Sequence, residues 1–254
     1  VQGPSTADGL NVSSRQGSGA DSGTDPATGS TTDFWQHLLP ALPPPADCRP
    51  PWQRSVPVAL PDGRWLRLPI RPLPHEPGHA VASLLCNHAS LEVVDALASM
   101  LAERVAGLSA DVVVGLPTLG LTLAPTVARA LGHQRYVPLG TSRKFWYDDA
   151  LSAAVVSVTS PTPGKRVYLD PHLRPLVEGR RVLLIDAAVS TGRTAGAPWD
   201  LLESLGAQVV ALGVVMCQGR RWVAELGPDR AARVFSVFDS PLLRALAEGW
   251  VPRD

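Results

Sequence analysis

The segment Arg181-Val-Leu-Leu-Ile-Asp186-Ala187-Ala-Val-Ser190-Thr191-Gly192-Arg193-Thr194-Ala195 constrains this chain more than any other. Its opening apolar run reads as a buried parallel strand. The strand delivers an acid at its carboxyl end, and a turn of small residues follows before an Ala- and Leu-rich helical segment. An open α/β sheet builds an anion site in this way, with turn amides, hydroxyls and a helix N-terminus facing the ligand.

The remainder of the chain is compatible with such a sheet. Its 254 residues suit one sizeable domain with appendages. The formal net charge is zero, which argues against a general electrostatic grip on nucleic acid or on an acidic membrane. No run approaches the ~20 apolar residues of a membrane span. Cys48, Cys86 and Cys217 are odd in number and widely spaced, as expected of free thiols in a cytoplasmic protein. Lys144 and Lys165 are the sole lysines.

Residues 1–31 hold hardly any large apolar side chain and read as a disordered tail. A Pro-rich connector over 32–51 contains Asp33-Phe-Trp-Gln-His-Leu-Leu, a candidate docking turn. The folded domain is expected over 52–254. Val56–Leu60 and Arg64–Ile70 flank the turn Pro61-Asp62-Gly63 as a hairpin. Ser90 can cap a helix carrying Leu91, Val94, Leu97, Leu101 and Val105 at helical spacing. Strands are expected over Asp111–Gly115, Arg135–Leu139, Arg166–Leu169, in the segment above, and from Gln208 to Val215, with helices over Leu121–Leu131 and Trp199–Leu205. The alternation predicts a five-stranded parallel α/β sheet flanked by helices.

Ligands of such sheets gather at the carboxyl ends of the strands. One candidate loop is Gly115-Leu-Pro-Thr118-Leu119-Gly120, where small residues let amides approach an anion. Another, Thr141-Ser-Arg143-Lys144-Phe-Trp-Tyr-Asp-Asp, carries adjacent cations suited to a diphosphate, although a solvated basic turn is the commoner meaning of such a pair. The span from Ala150 to Gly164 lacks periodicity, ends at Lys165, and has the length of a functional lid.

These segments, in this order, resemble the type I phosphoribosyltransferases, whose signature ends a strand with two adjacent acids and continues into a Thr-Gly phosphate loop. The second acid is here replaced by Ala187. The runs Asp111–Gly120 and Tyr136–Lys144 are similar to the purine (adenine) type. The resemblance implies that fold, with a small hood from about residues 52–72 and the C-terminal segment. It also implies transfer of phosphoribosyl from its 1-pyrophosphate to a purine base, adenine ahead of 6-oxopurines, with Mg²⁺ as cofactor. Ser190, Thr191, Gly192, Arg193 and Thr194 would hold the 5-phosphate, while Asp186 would serve the ribose hydroxyls and the metal. Thr118, Leu119 and Gly120 would receive pyrophosphate, joined by Arg143 and Lys144, and Lys165 would also touch substrate. Leu119 stands where purine-specific relatives often carry Arg. A homodimer is the family's usual state.

Ala187 opens two alternatives. Space beside it could admit a hexulose diphosphate of specialised nucleoside biosynthesis, or the chain could sense a sugar diphosphate without turnover. Other signals carry less. His75-Glu-Pro-Gly-His79 matches a zinc string, but Pro-Gly prevents the helical turn that string needs. Trp222 and Phe238 could cover the base or simply pack in the core.

Overall fold

The computed structural model describes residues 34–41, 48–155 and 165–253. The expected tail, part of the connector and residues 156–164 of the third loop lie outside them. Trp35 of the candidate docking turn is buried, its indole Nε1 donating to the Ser83 carbonyl at 3.2 Å.

The chain opens with the hairpin β1 (Ser55–Ala59) and β2 (Trp65–Pro72), followed by β3 (His79–Ala82). Helix α1 (Leu91–Val105) starts where the Ser90 hydroxyl accepts a hydrogen bond from the Val93 amide at 3.3 Å. Then come β4 (Val112–Gly115), α2 (Gly120–Ala130), the short β5 (Val137–Pro138), β6 (Ser152–Ala154) and β7 (Arg166–Tyr168). The signature segment forms β8 (Arg181–Val189) and α3 (Arg193–Ser204). The chain continues through β9 (Gln208–Gln218), α4 (Arg221–Leu226), α5 (Pro228–Ala231), β10 (Val234–Ser240), β11 (Leu242–Leu246) and β12 (Gly249–Pro252).

The core sheet is five-stranded and parallel throughout, in the order β10-β9-β8-β4-β5. Its membership differs from the expectation at one strand. Arg166–Tyr168 pairs antiparallel with β6 in a separate two-stranded ribbon, and the fifth place goes to Val234–Ser240. The physical reason is pairing: β7 spends its hydrogen bonds on β6 and on Gly140 beyond β5, whereas seven-residue β10 lies along the edge of the long β9. The second sheet, β1-β2-β3-β11-β12, joins the N-terminal hairpin to the C-terminal strands.

Alternation along β8 separates two apolar layers. Leu183, Ile185 and Ala187 face a cluster that includes α1 and reaches Leu66 and Leu68 of the second sheet. Val182 and Leu184 face Trp199 and Leu202 of α3. Chain order also locates the crevice. From β4 the chain steps outward to β5 and then returns to the other side of β4 to form β8, so the order reverses between β4 and β8, where loops diverge and ligands of open sheets bind.

At that crevice α2 begins against β8. A Cβ on Gly120 would collide with the Ile185 carbonyl oxygen and lie 2.9 Å from Asp186 Cα. Gly120→Ala is therefore expected to cost roughly 1–3 kcal/mol through overpacking and to push Asp186 out of place. Denaturant unfolding beside a ligand-binding assay checks both effects.

Candidate active site

A cleft of about 550 Å³ opens at this reversal point. Its floor comes from the ends of β4 and β8, through Leu116, Pro117, Thr118 and Leu119 on one side and Asp186 and Val189 on the other. Ser190, Thr191, Gly192 and Thr194 form the turn into α3 along one wall. The turn closes because Gly192 adopts φ +86°, a left-handed conformation that side chains disfavour. Lys165 and Val167 supply another wall. The second sheet contributes Val81, Ser83, Leu84 and Leu85, with Asn87 and His88 just beyond them.

Asp186 is the acid at the bottom of the cleft. Its Oδ1 accepts the Ala187 amide at 2.7 Å, and the Gly120 amide also donates to the carboxylate. Burial outweighs those bonds and pushes its carboxyl up to about 7. The neighbouring Cys86 thiol, pushed up to about 12 by burial and then by Asp186, stays neutral.

The structure gathers Asp186, Thr118, Leu119, Ser190, Thr191, Gly192, Thr194 and Lys165 around one cavity. Gly120 stands behind it as the tight contact under α2. Arg193 lies outside the cleft lining, its guanidinium paired with Glu225 at 3.3 Å. Arg143 and Lys144 also lie outside it. Arg143 pairs with Asp149 at 2.9 Å on a loop held by Trp146 Nε1 donating to Asp170, and Lys144 is exposed. Lys165 is the one arginine or lysine among the described residues that line the cleft.

Ala187 alters the expectation attached to it. It is 1% exposed, packs in the layer with Ile185, and does not line the cleft. The cleft lining passes instead through Asp186 and Ala188 on either side of it. Phe238 and Trp222 likewise pack in the two apolar layers and stay out of the cleft. At the zinc-like string, the turn delivers His79 to the start of β3, and Glu76 pairs with Arg253 at 3.2 Å.

The wall from Val81 to His88, together with Met216 and Gln218 at the end of β9, was missed in the sequence. Its only available sign was the carboxyl end of an expected strand, since β3 is four residues long and Cys86–His88 is a single 3-10 turn. As for a metal, no group of three or more His, Cys, Asp or Glu converges among the described residues. Asp186 is the one carboxylate among the described residues that line the cleft, and it already accepts two amides.

A model of the phosphoribosyl transferase domain matches residues 80–237, and the chain belongs to that family. An adenine phosphoribosyltransferase of Nocardioides sp. is 36% identical over 54% of this chain and 70% of its own length. One from Solibacter usitatus is 33% identical over 42% of this chain, a stretch that spans only 57% of that relative. The solved enzyme from Giardia lamblia, in complex with 9-deazaadenine, superposes with a TM-score of 0.54 at 20% identity, covering 68% of this chain and 93% of that one. This likeness establishes the type I phosphoribosyltransferase fold.

The raised carboxyl of Asp186 makes stability depend on pH. Between the ordinary aspartate value of 3.8 and about 7, the unfolded chain has released this proton while the folded chain keeps it. Raising the pH through that window therefore favours unfolding, by an amount on the order of 4 kcal/mol if the whole shift is expressed. Urea melts across the window are expected to show wild type losing stability relative to Asp186→Asn, with a constant difference at higher pH.

Proposed function

We propose that the protein transfers a phosphoribosyl group from its 1-pyrophosphate to a nitrogen of a purine base, adenine in first place, and releases pyrophosphate. The observation that carries this reading is the convergence of the Ser190–Thr194 turn, Asp186 and the Pro117–Leu119 loop on one cleft. The turn and the start of α3 suit a terminal phosphate, because unsatisfied helix amides and the helix dipole favour an anion there. The small-residue loop after β4 suits the diphosphate, and Asp186 between them suits the sugar hydroxyls as acceptor. The curated relatives that match across half of this chain are adenine phosphoribosyltransferases.

In this reading catalysis comes from positioning and electrostatics, with no covalent nucleophile. Lys165 offsets charge on the diphosphate, and apolar walls keep water from the electron-poor sugar carbon. Mg²⁺ would be the cofactor, with Asp186 the residue that would face it, and it would supply positive charge to offset that of the diphosphate. Arg143 and Lys144 would join it if their loop turned inward. A homodimer in the cytoplasm completes the proposal.

The experiment is pyrophosphate release from the Mg²⁺–sugar diphosphate with adenine, hypoxanthine and guanine as acceptors. Release with adenine foremost is expected. Tight binding of the sugar diphosphate without release under any base would replace this reading with the non-catalytic one, which the outward position of Arg143 and Lys144 favours.

Lys165→Ala is expected to raise KM for the sugar diphosphate about tenfold or more, as loss of a charge-assisted contact does. The same substitution should flatten the salt dependence of KM, which initial rates over a range of ionic strength would reveal.

A further inference from the structure

The cleft wall shared by the second sheet and the end of β9 is mostly apolar, with Val81, Leu84, Leu85 and Met216 beside Gln218. Gln218 is only 7% exposed, yet it lines the cavity. Its Nε2 donates to the Ala82 carbonyl at 2.7 Å, linking the two sheets. A carbonyl can only accept, so this bond settles which end of the amide is nitrogen and turns Oε1 the other way. Among the described residues, the fully occluded side-chain polar atoms lacking a partner are Trp52 Nε1 and Ser240 Oγ. Gln218 Oε1 is not one of them, and among the described residues no donor reaches it, so it keeps some exposure on a residue that lines the cleft. Asn87 and His88 also line the cavity, but among the described residues no side-chain bond sets the sense of either.

We infer that Gln218 is a specificity-determining residue for the acceptor base, its side-chain oxygen receiving a hydrogen bond from an exocyclic amino group and so favouring a 6-aminopurine over a 6-oxopurine. The inference rests on the transfer reading above and sharpens it. An amino group at position 6 donates to the waiting acceptor. A 6-oxo group would set two acceptors against each other inside an apolar wall, with neither able to reach water. A site built to bond a substrate N–H rejects analogues lacking it far more strongly than an apolar pocket rejects a change of shape. Because Ala82 holds the amide, rotation cannot relieve the mismatch without breaking the link between sheets.

The test compares kcat/KM of the full chain for adenine, for 6-methylpurine, which keeps the outline but has no donor, and for hypoxanthine. Wild type is expected to favour adenine over both by about tenfold or more. In Gln218→Met the advantage of adenine over 6-methylpurine should shrink to within about twofold. Gln218→Leu provides the same comparison if the Met variant does not fold. An adenine advantage that survives in the folded variants, or that is missing in an active wild type, would overturn the assignment of Gln218 alone. A wild type that transfers to no purine would overturn the transfer reading together with it.

Discussion

The close approach of α2 to β8 sets the geometry of everything around it. Gly120 brings the first turn of the helix onto the backbone at Ile185 and Asp186, closer than any side chain would permit. That contact holds the loop after β4 beside the acid and lets the Gly120 amide reach the carboxylate. Without it the two loops that diverge at the reversal of strand order would have no common floor. The carboxyl end of a parallel sheet becomes a cleft here because a glycine removes the volume that would keep them apart.

Two sheets then divide the work. The parallel sheet presents backbone amides, hydroxyls and one acid from successive strand ends, all suited to a charged, hydroxylated ligand. The antiparallel sheet, which joins the first and last strands of the folded chain, brings a mostly apolar wall through β3 and the residues after it. Gln218 joins them through Ala82, so the cleft is bounded by surfaces whose relative position is set by a hydrogen bond as well as by packing. The burial of Asp186 at the bottom of this cleft raises its carboxyl toward neutrality, so folding and proton binding are coupled at that residue.

Much of this was legible along the chain. Val182–Ile185 is apolar without interruption because β8 is covered on both faces, and Ser90 before a helical period marked the start of α1. The Ser190–Thr194 turn was legible for the same reason, since its small residues sit in consecutive positions. The Val81–His88 wall was not. Its strand is too short for a period, and its residues face the cleft only because distant segments pair beside them. Arg143 and Lys144 show the reverse case: adjacent cations are legible along the chain, but where their loop lies depends on its ties through Asp149 and Asp170.

Ala187 marks the boundary between the two kinds of information. The sequence by itself determined the parallel strand, the acid at its end, the turn of small residues and the alanine at position 187, because each depends on residues adjacent in the chain. Only the tertiary structure decided which side chains meet across the cleft. It placed Ala187 in an apolar layer, Gln218 on the cleft wall and Arg193 against Glu225. Those outcomes depend on sheet alternation and on contacts between segments far apart in the chain, which a local pattern does not contain.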